Sequence, residues 1–140
     1  MKSTYLASAS ASVIFLAVLF ACNFSTAHLS SLKVGKDRTV SQETNSFAPS
    51  DPFYAVATVS NAPGKVQVKG RLVVEDVPGQ KSGPVPGLEK TLDLESGGSA
   101  SFSFTPPPNG WPVGKYKIEV IMVNDKGEQK DQKSASFSVS

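Results

Sequence analysis

The one cysteine of the 140-residue chain, Cys22, is the residue with the most distinctive chemistry and position. It ends an unbroken apolar run that begins at Val13, and the short start of the chain carries one cation, Lys2. A charged start followed by an apolar stretch and small residues is the order of a secretory signal. Because the run is much shorter than the roughly 20 residues of a membrane-spanning helix, the sequence predicts a cleaved signal peptide over residues 1–21.

Few other residues support catalysis or metal binding. With a single cysteine no intramolecular disulfide can form, and the only histidine, His28, precedes the predicted folded domain, which excludes a Ser-His-Asp arrangement inside it. No phosphate-binding glycine loop follows a predicted strand. We therefore expect no enzyme, no catalytic residue, no cofactor and no metal.

Acidic side chains are close in sequence at three places, but each group is too sparse for a calcium loop, and we expect solvated turns there. The three groups are Glu75 with Asp76, Asp93 with Glu95, and Asp125 with Glu128. Two carboxylates that converge in space could act as acid and base, so a carboxylate-dependent hydrolase remains an alternative.

Aromatic residues supply the ligand-binding hypotheses. Trp111, between Gly110 and Pro112, could stack on a sugar or a proline-rich ligand, although packing at a domain corner is favoured. A carbohydrate-binding module would need either Trp111 or Tyr54 exposed on a flat or grooved surface. Tyr116 starts a late strand, and its position favours a corner tyrosine whose hydroxyl binds local backbone.

The charge pattern excludes one partner class. The chain has 14 basic and 12 acidic residues, and the basic ones are scattered along it. Binding to phosphates needs a clustered positive field. We therefore expect no nucleic-acid partner.

The elements that position these residues follow from periodicity. Residues 22–46 are rich in Ser and Thr and predict a lipidated N-terminus and flexible tether, with a short first strand near residues 32–34 or 39–41 as an alternative. From Phe47 to the C-terminus, short runs of alternating apolar residues are separated by Gly, Pro and Asn. The sequence predicts an all-β domain over residues 47–140, an immunoglobulin-like β-sandwich of about seven strands.

Two local features refine that prediction. Gly70 falls on the apolar face of its strand, where a close approach is expected. The proline-containing segment over residues 77–87 cannot pair as a central strand, because proline has no amide donor, and it is predicted to be a long loop. If a partner adds a strand, we expect it along the edge nearest this loop.

Leu19-Phe20-Ala21-Cys22 resembles the lipobox of bacterial lipoproteins. The resemblance implies acyl chains on Cys22, a membrane partner and a place in the bacterial cell envelope. Asn23, where an Asp would act as a retention signal, implies the outer membrane if the cell has one. An ordinary cut after Ala27, which would release a secreted or periplasmic protein, is the alternative.

Residues 110–120, 137–139 and 47–54 resemble strands of bacterial immunoglobulin-like envelope domains. The resemblance concerns fold and not activity. We expect a membrane-anchored lipoprotein whose non-catalytic domain binds an envelope protein or glycan. A carbohydrate-binding module is the first alternative.

Overall fold

Alternating apolar residues form eight β-strands in residues 26–140, the part of the chain that the computed structural model describes. The strands are β1 (His28–Gly35), β2 (Ser46–Phe47), β3 (Phe53–Ser60), β4 (Val66–Asp76), β5 (Gly83–Leu94), β6 (Gly98–Phe104), β7 (Gly114–Asn124) and β8 (Gln129–Val139). The described residues contain no helix long and apolar enough to cross a membrane.

The strands form two sheets that pack face to face. One sheet has the order β1-β3-β6, and the other has the order β2-β8-β7-β4-β5. All neighbours are antiparallel except β2 and β8, which pair in parallel. In the strand names of immunoglobulin domains, the first sheet corresponds to A-B-E, and β8, β7, β4 and β5 of the second correspond to G-F-C-C′. The first strand of those domains, A, is divided here between the sheets as β1 and β2. The prediction of an all-β, immunoglobulin-like sandwich is confirmed.

The core lies between the inner faces of the two sheets. Every second residue of β3, from Phe53 to Val59, is buried. Gly70 lies opposite Phe102, and a Cβ at Gly70 would be 2.6 Å from the Phe102 ring. The close approach predicted at Gly70 is confirmed, because any larger side chain there would displace a core aromatic ring.

The folded domain begins earlier than predicted. β1 pairs with β3 from His28 to Gly35, and Leu29 and Val34 belong to the core. The flexible tether predicted through residue 46 is therefore wrong for residues 28–35, and the alternative strand near residues 32–34 is right in place but too short. The register of β1 shifts between Leu29 and Ser31, and this bulge interrupts the period-2 pattern by which a strand is recognised.

The predicted loop over residues 77–87 is also shorter in the structure. Its last residues start β5, where Pro84 pairs with Val73 and Gly83 pairs with Val74. β5 is an edge strand, which tolerates prolines because one side of it needs no amide donors. The prediction that this segment cannot form a central strand is confirmed, because β5 lies at the edge of its sheet.

One carboxylate is buried among the described residues. Glu119 is 6% exposed and lies on the outer face of the five-stranded sheet, opposite Arg71. Arg71 donates hydrogen bonds to Glu119 Oε1 through Nε, at 2.9 Å, and through Nη2. Lys117 Nζ is 3.7 Å from the other carboxylate oxygen. The charge is compensated within the sheet, as a buried carboxylate requires.

Candidate binding groove at the aromatic end of the sandwich

The end of the sandwich where β7 begins is held by a cluster of aromatic rings. Phe53 is at its centre, with ring centroids 4.5 Å from Trp111, 4.6 Å from Phe137 and 4.9 Å from Phe47. Tyr116 packs 6.0 Å from both Phe53 and Phe137. Edge-to-face and stacked pairs of this kind add to the stabilisation that burial gives.

Trp111 is fixed in this cluster by three kinds of contact. Its ring stacks on Phe53 with an interplanar angle of 14°. The indole Nε1 donates a hydrogen bond to the Asp51 carbonyl at 2.8 Å, and the Trp111 amide donates to the Pro49 carbonyl at 2.8 Å. The side chain is 6% exposed. Its polar atom is satisfied internally, so the contact that Trp111 presents to the surface is apolar.

The turn before Trp111 depends on glycine. Gly110 has a φ of +78°, and a Cβ there would lie 3.0 Å from Pro49. A left-handed conformation with no space for a side chain explains why this position suits only glycine. The turn sets the angle at which Trp111 enters the core.

Tyr116 closes the same corner. Its hydroxyl donates a hydrogen bond to the Pro112 carbonyl at 2.6 Å, and the residue is 2% exposed. Burial raises the pKa of the Tyr116 hydroxyl above its ordinary value, so it remains a protonated donor at neutral pH. The corner-tyrosine role favoured by the sequence is what the structure shows.

Asp51 connects this corner to β1. Its carboxylate accepts a hydrogen bond from the Ala48 amide at 2.7 Å and forms an ion pair with Lys36 at 3.1 Å. The Ala48 amide, and secondly Lys36, hold the pKa of the Asp51 carboxyl below its ordinary value of 3.8. A carboxyl with a lowered folded pKa stabilises the fold above its ordinary pKa, and that contribution is lost as the pH falls through the folded pKa.

We expect Asp51→Asn to reduce the acid sensitivity of the fold. The wild-type protein should lose stability between about pH 5 and pH 2, and the variant should lose less over the same interval because it has no carboxylate there to protonate. Urea unfolding at both ends of the interval measures this. Asp93→Asn, which changes an exposed carboxylate on β5, is the control. An equal acid loss in wild type and Asp51→Asn contradicts the role given to Asp51.

Beside the cluster lies a groove of about 410 Å³ between the start of β5 and the segment that joins β6 to β7. Most of its lining is apolar, and its polar side chains are Gln80 and Thr105. The lining residues are Gln80, Val85, Pro86, Leu88, Thr105, Pro107, Trp111, Pro112 and Tyr116. Val113, 57% exposed, follows Pro112 directly. The groove offers apolar contact and carries no charged side chain.

The structure separates the two aromatic residues predicted to bind a ligand. Trp111 stacks on Phe53, which points into the core, whereas Tyr54 points to the opposite face of β3 because neighbours alternate along a strand. Tyr54 is half-buried on the outer face of the three-stranded sheet, between Gly35 and Ser103. Ligand binding by either residue stays a prediction. Cys22 lies outside the described residues.

One acidic group lies apart from the other two. Glu75 and Asp76 are at one end of the five-stranded sheet, whereas Asp93, which pairs with Gln67, is at the other. The hairpin that carries Asp125 follows Asn124, which pairs with Val66 at that second end. Within residues 26–140 no three His, Cys, Asp or Glu side chains group as metal ligands would.

Comparisons with known proteins concern the fold alone. No protein-family model and no curated protein matches the chain. A β-glucuronidase from Bacteroides uniformis is similar in structure over 80% of this chain, with 17% identity and a TM-score of 0.50. The chain spans 14% of that enzyme's length. The likeness is one of fold.

Two smaller proteins resemble the chain over most of their own length. The soluble domain of PmoD from a Methylocystis species has 16% identity and a TM-score of 0.45, covering 78% of this chain and 89% of that one. An immunoglobulin-like protein from Pseudomonas aeruginosa has 11% identity and a TM-score of 0.45, covering 81% and 96%.

Proposed function

We propose that the chain is a membrane-anchored envelope lipoprotein whose immunoglobulin-like domain binds a protein partner without catalysing a reaction. The observation that carries the proposal is the uncharged groove beside Trp111. Sugars are usually recognised by several convergent polar groups, whereas the groove's aromatic polar atoms already bond to backbone and leave Gln80 and Thr105 as its polar side chains. An apolar segment of a protein partner fits this lining better than a glycan does.

The position of the groove agrees with an anchor on Cys22. β1 begins at His28, which pairs with Ser60, and ends at Gly35, which pairs with Tyr54 near the aromatic cluster. The chain therefore enters the sandwich at the end opposite the groove. Five residues lie between Cys22 and His28, so the two are at most about 20 Å apart. Acyl chains on Cys22 would hold the entry end near the membrane and present the groove away from it.

A photo-crosslinking amino acid at position 113 tests whether a protein partner binds at the groove. In native envelopes we expect it to form an adduct with one discrete protein, because Val113 is exposed beside the groove. The same crosslinker at Lys126, in the exposed hairpin at the entry end, is the matched control and should not form that adduct. Leu88→Asp, which places a charge in the groove, should lower the yield of the adduct at position 113 by at least about tenfold.

Two results would contradict the proposal. One is an identical set of adducts at positions 113 and 126, which would mean that the groove selects nothing. The other is retention of the domain by purified cell-wall glycan that Trp111→Phe or Tyr54→Ala abolishes, which would favour the carbohydrate-binding alternative.

A further inference from the structure

Four strands form the edges of the two sheets, and three of them carry features that block pairing with another chain. β5 contains Pro84 and Pro86 and a register irregularity, and β1 has a bulge after Leu29. β2 has only two residues, and the part of β8 that it leaves open carries the charged residues Lys130, Asp131 and Lys133. β6 has none of these features. Its seven residues, Gly98–Phe104, include no proline, no charge and no bulge. Natural proteins usually protect a strand of this kind, because its unpaired amides and carbonyls invite another strand.

The direction of the free backbone groups on β6 follows from one hydrogen bond. Lys90 Nζ, from β5, donates to the Ser103 carbonyl. The carbonyl of Ser103 therefore points away from β3, towards the open side. In an antiparallel strand the N–H and C=O of one residue point to the same side, and the side alternates along the chain. Ser99 and Ser101 accordingly present both groups at the open edge together with Ser103.

We propose that β6 pairs antiparallel with β6 of a second copy of this chain, about a twofold axis through Ser101. In this register Ser101 pairs with Ser101 of the second copy, and Ser99 pairs with Ser103 of the second copy. Each of these pairs exchanges two backbone hydrogen bonds, so all outward groups of the three serines are satisfied. The two three-stranded sheets then form one continuous six-stranded sheet, with the closed symmetry typical of dimers.

The side chains of β6 suit this register. Ala100 lies opposite Phe102 of the second copy, so a small side chain meets a large one. The outward side chains are serines, and no like charges oppose one another across the axis. On the inner side, Leu92 and Leu94 of β5 are half-buried against the core and would gain cover from the second copy.

Lys90 limits this pairing. Its ammonium occupies the Ser103 carbonyl and lies 5.6 Å from the Phe104 ring centroid. The amide of Ser99 of the second copy needs the same carbonyl, so Lys90 of each copy must leave before the two Ser99–Ser103 pairs can form. A cation at an edge is a common protection against strand addition. The dimer is therefore expected to be concentration-dependent, and Lys90→Gln should strengthen it.

The test uses residues 22–140 with Cys22→Ser, which contain every described strand and no other thiol. A hydrogen-bonded antiparallel pair has Cα atoms about 5.5 Å apart, within the range that a disulfide bridges. Ser101→Cys should therefore give a disulfide-linked dimer under mild oxidation. Ser136→Cys is the matched control, because residues 134–138 repeat the Ser-Ala-Ser-Phe-Ser sequence of residues 99–103 on β8. There β2 pairs with Ser138, and the Ser138 amide donates to the Asn45 carbonyl, so the same register about Ser136 is blocked.

Sedimentation supplies the second measurement. The mass of the chain with Cys22→Ser alone should approach twice the single-chain mass as its concentration rises. Adding Ser101→Lys, which places two cations opposite each other across the axis, should raise the dissociation constant of the dimer by at least about tenfold. Ser136→Lys should not. A mass that stays at one chain up to about 1 mM overturns the proposal, as does dimerisation that Ser101→Lys leaves unchanged. Circular dichroism confirms that each exposed-site variant is folded.

Discussion

Replacing Cys22 with Ser is expected to move the protein from the membrane fraction to the soluble fraction. Acyl chains on this residue would contribute about 0.8 kcal/mol for each buried methylene, and two or more chains are needed for stable anchoring. Serine offers no thiol to acylate, so the variant would lack the acyl chains. Fractionation of cells that express each form measures the effect, which should be close to complete.

The intact mass of the mature protein identifies the reason for any change. The wild-type protein should begin at Cys22 and carry the added mass of acyl chains, whereas Cys22→Ser should lack that mass. Asn23→Gln, which changes the neighbouring residue and leaves the thiol, is the control and should remain acylated. A wild-type protein that begins unmodified at His28 contradicts the lipoprotein proposal and supports cleavage after Ala27.

Trp111→Ala is expected to lower the free energy of unfolding by about 3–5 kcal/mol, the range found when a large buried aromatic side chain is truncated. The substitution removes the stack on Phe53 and leaves the Asp51 carbonyl without its indole donor. It also opens a cavity beside Tyr116. Denaturant unfolding at neutral pH measures the loss, and the midpoint should fall while the slope changes little.

Two further variants separate packing from ligand contact at this position. Trp111→Phe keeps an aromatic ring and removes the hydrogen bond, so its loss should be smaller, about 1–2 kcal/mol. Val113→Ala changes an exposed side chain of the same segment and should stay within about 0.5 kcal/mol. A Trp111→Ala protein as stable as the wild type would show that the indole does not hold the corner, which would favour a ligand-binding role.

Periodicity in the sequence predicted the strands that keep a regular register. In β3 the residues from Phe53 to Val59 alternate without interruption, and the structure buries every second one. β1 was predicted only as an alternative, a short strand near residues 32–34, because the bulge between Leu29 and Ser31 shifts its apolar pattern by one residue. A bulge is a backbone feature that propensity does not encode.

The groove was beyond prediction for a different reason. Trp111 was recognised as a candidate, but Val85 and Pro107 reach it only because β5 ends its sheet next to the β6–β7 connection. Residues this far apart in the sequence become neighbours only in the folded domain, so local sequence patterns do not reveal the contact. The proline-containing segment over residues 77–87 was visible, but it was interpreted as a loop beside an edge strand and not as one wall of a groove.

The pairing of β1 with β3 has a mechanical consequence. A pull between residue 27 and the groove acts along the axis of β1, whose seven register pairs with β3 extend from His28 to Gly35. Force in this direction loads those pairs together in shear, whereas a pull across the strand would open them one at a time. A domain held by its N-terminus and loaded at its far end is therefore arranged to resist unfolding under tension.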